Sequence, residues 1–192
     1  MGKICAFFGH RDAPSYLLEN NHIERTIISL IENEGVDTFW FGGNGNFDSY
    51  ANSAVRRVQE QLYPQIKRIF VAAYMQQVNP TIGSEAGFTE LNYDGFMYPD
   101  EVEFAPRKFA ITYRNRYEVE NADFFICYIH KEYGGAYTAY RLAKRNGKKV
   151  INLAESEEVK HSEIEHKKKM EEYRKLYGDK PEYVKILDNK SL

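Results

Sequence analysis

Three short stretches concentrate the residues that could do chemistry, and each follows an apolar run. Gly9-His10-Arg11-Asp12 follows the first run, and Gly42-Gly43-Asn44-Gly45-Asn46-Phe47-Asp48 follows the second. His130, Gly134 and Gly135 follow the run at 124–129. Glycines let a backbone approach a ligand closely, and free amides at a helix start favour an anion. Three such turns at one sheet edge make a phosphate or a carboxylate the natural guest. The bland reading of each turn stands beside this one. A glycine-rich turn is common in its own right, and Asn46 or Asp48 can simply cap a helix. The second turn is not a nucleotide P-loop, since no Gly-Lys-Ser/Thr follows, nor does it have the usual dinucleotide fingerprint. His10 is either a structural loop residue or, paired with Arg11, an anion contact.

A further cluster, Arg114-Asn115-Arg116-Tyr117-Glu118, sits in a helical segment before Ala122-Asp123. It concentrates guanidinium forks, an amide and a carboxylate. The five histidines (His10, His22, His130, His161 and His166) show no metal-ligand spacing, so no metal is expected. Neither cysteine has the helix-start or histidine context of a nucleophile.

These residues need a scaffold, and the apolar pattern supplies one. Five runs, Ile4–Phe8, Thr38–Phe41, Ile69–Ala73, Phe124–Ile129 and Val150–Leu153, are nearly continuous in hydrophobicity, as in strands covered on both faces. Helical stripes lie between them. Ile23, Ile27, Leu30 and Ile31 precede a stop at Gly35. Ala51, Val55, Val58 and Leu62 precede Pro64, and Ala136, Ala139, Tyr140 and Ala143 precede Asn146-Gly147. Strands alternating with helices predict an α/β, Rossmann-like, doubly wound and mostly parallel five-stranded sheet with helices on both faces. In such folds ligands bind at the carboxyl ends of the strands.

Two regions depart from the alternation. Residues 76–109 hold Pro80, Gly83, Gly87, Gly95, Pro99 and Pro106, with Phe88, Tyr93, Phe96, Tyr98 and Phe104 among them. So long a connection is usually a lid or binding loop, and the aromatics favour an ordered cover over the pocket. Its aromatics at 93–104 suit a homodimer interface equally well. Residues 155–192 read as a charged helix and tail with a strand-like Tyr183–Leu187, appended to a domain over 1–154. The basic run at 166–169 faces Glu171 and Glu172 and reads as a solvated surface.

A net charge of −2 argues against a general nucleic-acid binder, because counterion release needs concentrated basic surface. Aromatics make up 15% of the 192 residues, an excess read first as core packing. Cys5 and Cys127 lie inside apolar runs and are expected to be buried free thiols of a reduced compartment. No run approaches the roughly 20 apolar residues of a membrane span. Met1–Phe8 lacks the pattern of a secretory signal, so a cytoplasmic location is expected.

Taken in order, Gly-His-Arg at 9–11, the glycine turn at 41–48, Arg114-Asn115-Arg116 running to Ala122-Asp123, and Gly134-Gly135 with the Leu-Ala-Lys-Arg-Asn-Gly stretch at 142–147 resemble the SLOG superfamily. That superfamily takes in the Lonely Guy-type phosphoribohydrolases, the DNA-processing protein DprA and the YpsA-like proteins of Firmicutes. The last also have a counterpart of residues 98–116. The resemblance covers the chain to about Asn152. The ordered set is more specific than any one motif. It implies a Rossmann-like fold that binds nucleotides or their derivatives, some members cleaving an N-glycosidic bond. It also implies that Arg114 stands at the family's arginine and Thr138 at the threonine of its glycine loop. Tyr133 replaces that loop's proline and Tyr137 its third glycine, while Arg141 occupies the glutamate position. A cation cannot stabilise an oxocarbenium-like centre, so a carboxylate would have to come from Glu118, Asp48 or Glu85.

The expected function is therefore a sensing or binding module for a nucleotide or phosphosugar. It would be held by Gly9, His10, Arg11, Gly42, Gly43, Asn44, Gly45, Asp48, Asn115, Gly134, Gly135 and Thr138, with no cofactor. The first alternative is an N-glycosidase, phosphoribohydrolase or deoxyribosyltransferase-like enzyme using Glu118 and Arg114. The second is a DprA-like module for single-stranded DNA or a protein partner.

Overall fold

The computed structural model describes residues 2–78, 88–89 and 92–178. Six strands are formed among them: β1 (Lys3–Gly9), β2 (Val36–Phe41), β3 (Lys67–Val71), β4 (Gly95–Met97), β5 (Phe124–Tyr128) and β6 (Lys149–Asn152). They make one sheet in the order β4-β3-β2-β1-β5-β6, and every neighbouring pair is parallel. The sheet thus has one strand more than the five expected. The extra strand is β4, three residues at the edge, too short to leave an apolar run in the sequence.

Parallel neighbours cannot be joined by hairpins, so helices must cross the faces. One face carries α1 (Tyr16–Glu19), α2 (His22–Glu34), α3 (Asn46–Gln61) and α7 (Glu157–Tyr177). Against the other lie α5 (Ala110–Asn121) and α6 (Gly134–Arg145), with α4 (Asp100–Glu103) packed on α5. Successive residues of the central strands feed opposite layers. Phe7 stacks on Phe41 at 5.0 Å in the α2/α3 layer, and Phe8 stacks on Phe125 at 5.0 Å in the α5/α6 layer. This use of the aromatics as core agrees with the packing reading above. Phe39, Phe41, Phe47, Phe70 and Phe125 are fully buried, each worth about 1.5–3 kcal/mol of burial. Cys5 and Cys127 are buried and free, and burial pushes both thiols well above the usual range.

Glycine ends two of the helices, as their stripes suggested. Gly35 (φ 73°) closes α2 and donates its N–H to the Ile31 carbonyl at 3.2 Å, and Gly147 (φ 69°) follows α6.

The described part of 76–109 builds the edge of the fold. Arg68, itself buried, donates to the Asn92 carbonyl at 2.8 Å and to Gln59 Oε1 at 2.9 Å. Its backbone N–H donates to Asp94 Oδ2 at 2.7 Å, tying the approach to β4 against β3. Beyond β4, α4 packs on α5. Pro80, Gly83, Glu85 and Gly87, and the strand-like 183–187, lie outside the described residues.

Candidate functional site

The order of strands reverses between β1 and β5, whose ends stand side by side with Gly9 paired to Tyr128. A crevice opens at such a switch point. Here it is a hollow of about 300 Å³, floored by Phe7, Phe8 and Gly9. Its walls are His10, Arg11, Asn44, Asp48, Ile111, Arg114, Asn115, Gly134, Gly135 and Ala136. Four separate segments of the sequence therefore meet in one place. Thr138 is not among the lining residues: its hydroxyl donates to the Gly134 carbonyl at 3.1 Å inside the first turn of α6. None of the described residues of 76–109 lines the hollow; they build the sheet edge and support α5, and residues 79–87 and 90–91 of the expected cover lie outside the described residues.

The glycine turn after β2 is not an empty cradle. Asp48 folds back from α3 and accepts the N–H of Gly42 at 3.2 Å and of Gly43 at 2.7 Å. The amides expected to hold a ligand anion are already held by the chain's own carboxylate. Asn44 Nδ2 donates to the Gly42 carbonyl at 2.9 Å, while Gly45 adopts φ 87° against the Cα of Arg11, a conformation suited to glycine.

Arg114 is also committed. It is 4% exposed, and its Nη1 donates to the Gly42 carbonyl at 2.7 Å and the Val71 carbonyl at 3.4 Å. Its Nε and Nη2 donate to Asn115 Oδ1 at 3.1 and 2.9 Å. Glu118 Oε2 lies 3.6 Å from Nε, one helical turn on. Glu118 is 1% exposed, lies behind Arg114 rather than on the wall of the hollow, and its Oε1 has no hydrogen-bond partner among the described residues. The sequence-based choice of Glu118 as the carboxylate facing a ligand does not fit this placement. Asp48 is the carboxylate on the wall.

One cation and two carboxylates thus share a buried cluster. Burial pushes Asp48 up to about 6, opposed by Arg114 and then by the N–H groups of Gly42 and Gly43. Burial pushes Glu118 up to about 7, opposed by Arg114 and reinforced by the charge of Asp48. Tight packing holds the arrangement. A Cβ on Gly42 would meet Arg114 Nη1 at 2.0 Å. Gly42→Ala is therefore expected to push the guanidinium off the Gly42 and Val71 carbonyls, costing about 1–3 kcal/mol of stability in a urea titration.

Besides the Asn115 amide, whose Nδ2 has no partner among the described residues, two donor groups remain for a guest. The guanidinium of Arg11, exposed at the rim, has no partner among the described residues. The first turn of α6 opens onto the hollow through Gly134, Gly135 and Ala136, and its N-cap Tyr133 makes no side-chain cap. Helix N-termini carry partial positive charge and unpaired N–H groups. Sequence reasoning named both features. It missed that the Gly42–Gly43 amides are filled and that Phe7, Phe8 and Ile111 supply an apolar wall.

Arg141, at the glutamate position of the resemblance, lies over the Tyr137 ring at 5.8 Å and is not a lining residue. Among the described residues no three His, Cys, Asp or Glu side chains gather in a way that could hold a metal ion, and no helix is long and apolar enough to cross a membrane.

The chain shares its fold with DNA processing protein A (DprA) from Streptococcus pneumoniae. The TM-score is 0.53 at 20% identity, over 78% of this chain and 49% of that one. This chain therefore spans about half of DprA. The structural-genomics target TM1055 is similar at a TM-score of 0.49 and 14% identity, over 80% of this chain and 75% of that one. No family model matches the chain. No curated protein matches it either.

Proposed function

We propose that the hollow binds a single nucleotide or a nucleotide-derived phosphosugar, and that the chain, as a distant member of the SLOG superfamily, serves as a binding or sensing module. The observation that carries this reading is the meeting, at one rim, of an α6 N-terminus without a side-chain cap and the Arg11 guanidinium, which has no partner among the described residues. An anion placed there gains a bidentate fork and aligned amides. A volume of about 300 Å³ lies at the small end of ligand sites and suits one nucleotide rather than a polymer. Phe8 and Ile111 offer an apolar surface for a base or sugar face.

The test is calorimetric titration with a panel of nucleoside monophosphates, ADP-ribose and ribose 5-phosphate. Binding of at least one is expected. Arg11→Ala should weaken it by about ten- to a hundredfold, the worth of a charge-assisted contact, while shifting stability by no more than about 0.5 kcal/mol because the residue is exposed. Absence of binding across the panel would overturn the reading.

A second reading, cleavage of an N-glycosidic bond, draws support from one observation, the Asp48 carboxylate on the wall of the hollow. Free base released from nucleoside monophosphates, and lost in Asp48→Asn, would favour it. A DprA-like hold on single-stranded DNA is favoured only by the shared fold, which by itself says little about function. A gel shift at moderate salt separates it from the first reading.

A further inference from the structure

His10 was expected to touch the ligand, yet its ring is otherwise engaged. It is 8% exposed, and both nitrogens face the loop between β5 and α6. Nδ1 lies 3.3 Å from the backbone N of His130 and 3.2 Å from that residue's own ring Nδ1. Nε2 lies 3.3 Å from the Tyr133 carbonyl oxygen. A backbone N–H can only donate and a carbonyl can only accept, so these partners select one tautomer: an unprotonated Nδ1 that accepts and an Nε2–H that donates. The backbone N–H of His10 also donates to the Tyr128 carbonyl at 3.2 Å. The residue spans the whole turn from the end of β5 to the residue that caps α6, leaving only ring carbon for the hollow.

We infer that His10 is a positioning residue that clamps the 129–133 loop, so that the first amides of α6 are preset for the ligand anion. The inference rests on the anion reading above and refines it, giving His10 a different role from Arg11. Aligned donors that are already in place avoid the ordering cost of binding. Tyr133 is extended and Gly134 has φ 90°. Asn152 ties the same loop at Ile129 and Asp12 ties it at Lys131, while the Tyr133 carbonyl beside α6 is reached by His10, 123 residues away.

The tautomer is read without any ligand. Two-bond proton–nitrogen correlation spectra of the full chain are expected to show His10 Nδ1 as unprotonated and Nε2 as protonated. A ring averaging between tautomers, or an Nδ1–H form, would overturn the inference. His10→Ala should speed hydrogen exchange at Gly135 and Ala136 in the unliganded protein and weaken adenosine monophosphate binding about tenfold. His10→Asn, whose amide oxygen can still accept from His130 N–H, should recover much of both. Unchanged exchange in a folded His10→Ala protein would refute the clamp even where binding falls. Failure of the parent chain to bind the nucleotide would instead count against the anion reading alone.

Discussion

Arg114→Ala is expected to lower folding stability at pH 8 by about 3–5 kcal/mol, the cost of leaving buried charge without its partner, and by distinctly less at pH 5. The guanidinium is enclosed by Asp48, Glu118, Asn115 and the Gly42 carbonyl. Removing it strands two carboxylates in a site that already disfavours their charge, together with an orphaned carbonyl. At pH 5, below the folded values of about 6 for Asp48 and about 7 for Glu118, both carboxyls already carry protons, so most of the electrostatic cost is absent, while the lost hydrogen bonds remain. Urea unfolding at the two pH values measures the difference. Equal losses at pH 5 and pH 8 would mean that Arg114 acts through packing alone. The contrast with Arg11 is the point of interest. The two arginines line the same hollow, but the buried one is held by the fold, while the exposed one has no partner among the described residues and is the one proposed to meet the ligand.

Glu118→Gln is expected to reverse the usual cost of altering a buried residue once the solution is alkaline enough. The folded-state pKa of Glu118, about 7, lies above the ordinary glutamate value of 4.5. A group whose pKa is raised by folding stabilises the fold fully below its unfolded value, and that contribution is lost as pH rises through the folded value. The window is therefore about pH 4.5 to 7, with Asp48 adding a similar slope between its ordinary 3.8 and about 6. Glutamine keeps the shape and removes one of the two titrations. The parent protein should lose stability on going from pH 5 to pH 8, on the order of 2–3 kcal/mol from Glu118, and the variant should lose markedly less. At pH 5, where Glu118 is protonated, the two should agree to within about 1 kcal/mol, the scale of one altered hydrogen bond. Parallel pH profiles would show that Glu118 stays charged throughout and would dissolve the cluster as described.

The layered fold was legible because the central strands are covered on both faces, and continuous apolar runs such as Ile4–Phe8 can hardly be anything else. β4 was not, since three residues at an edge need no apolar pattern. Helix α5 was placed, but its inward face was not, because Arg114 and Glu118 occupy the i, i+4 positions where a core stripe would be apolar. The turn at 42–45 was recognised by its glycines, and its occupant was misjudged. Asp48 sits in the first turn of α3, near enough in sequence to reach back to those amides, and that spacing is a usable signal for a turn already satisfied. The link between His10 and His130 had no local signature at all. It arises only when β1 and β5 pair in register.

The proposed anion site is tested most directly by following backbone amide resonances while adenosine monophosphate or ribose 5-phosphate is added at moderate salt. The largest shifts should fall on Arg11, Gly134, Gly135 and Ala136, saturate together, and shrink sharply in Arg11→Ala. Shifts gathered elsewhere, along α7 for example, or no shifts with either compound, would contradict a ligand site at the β1–β5 switch point.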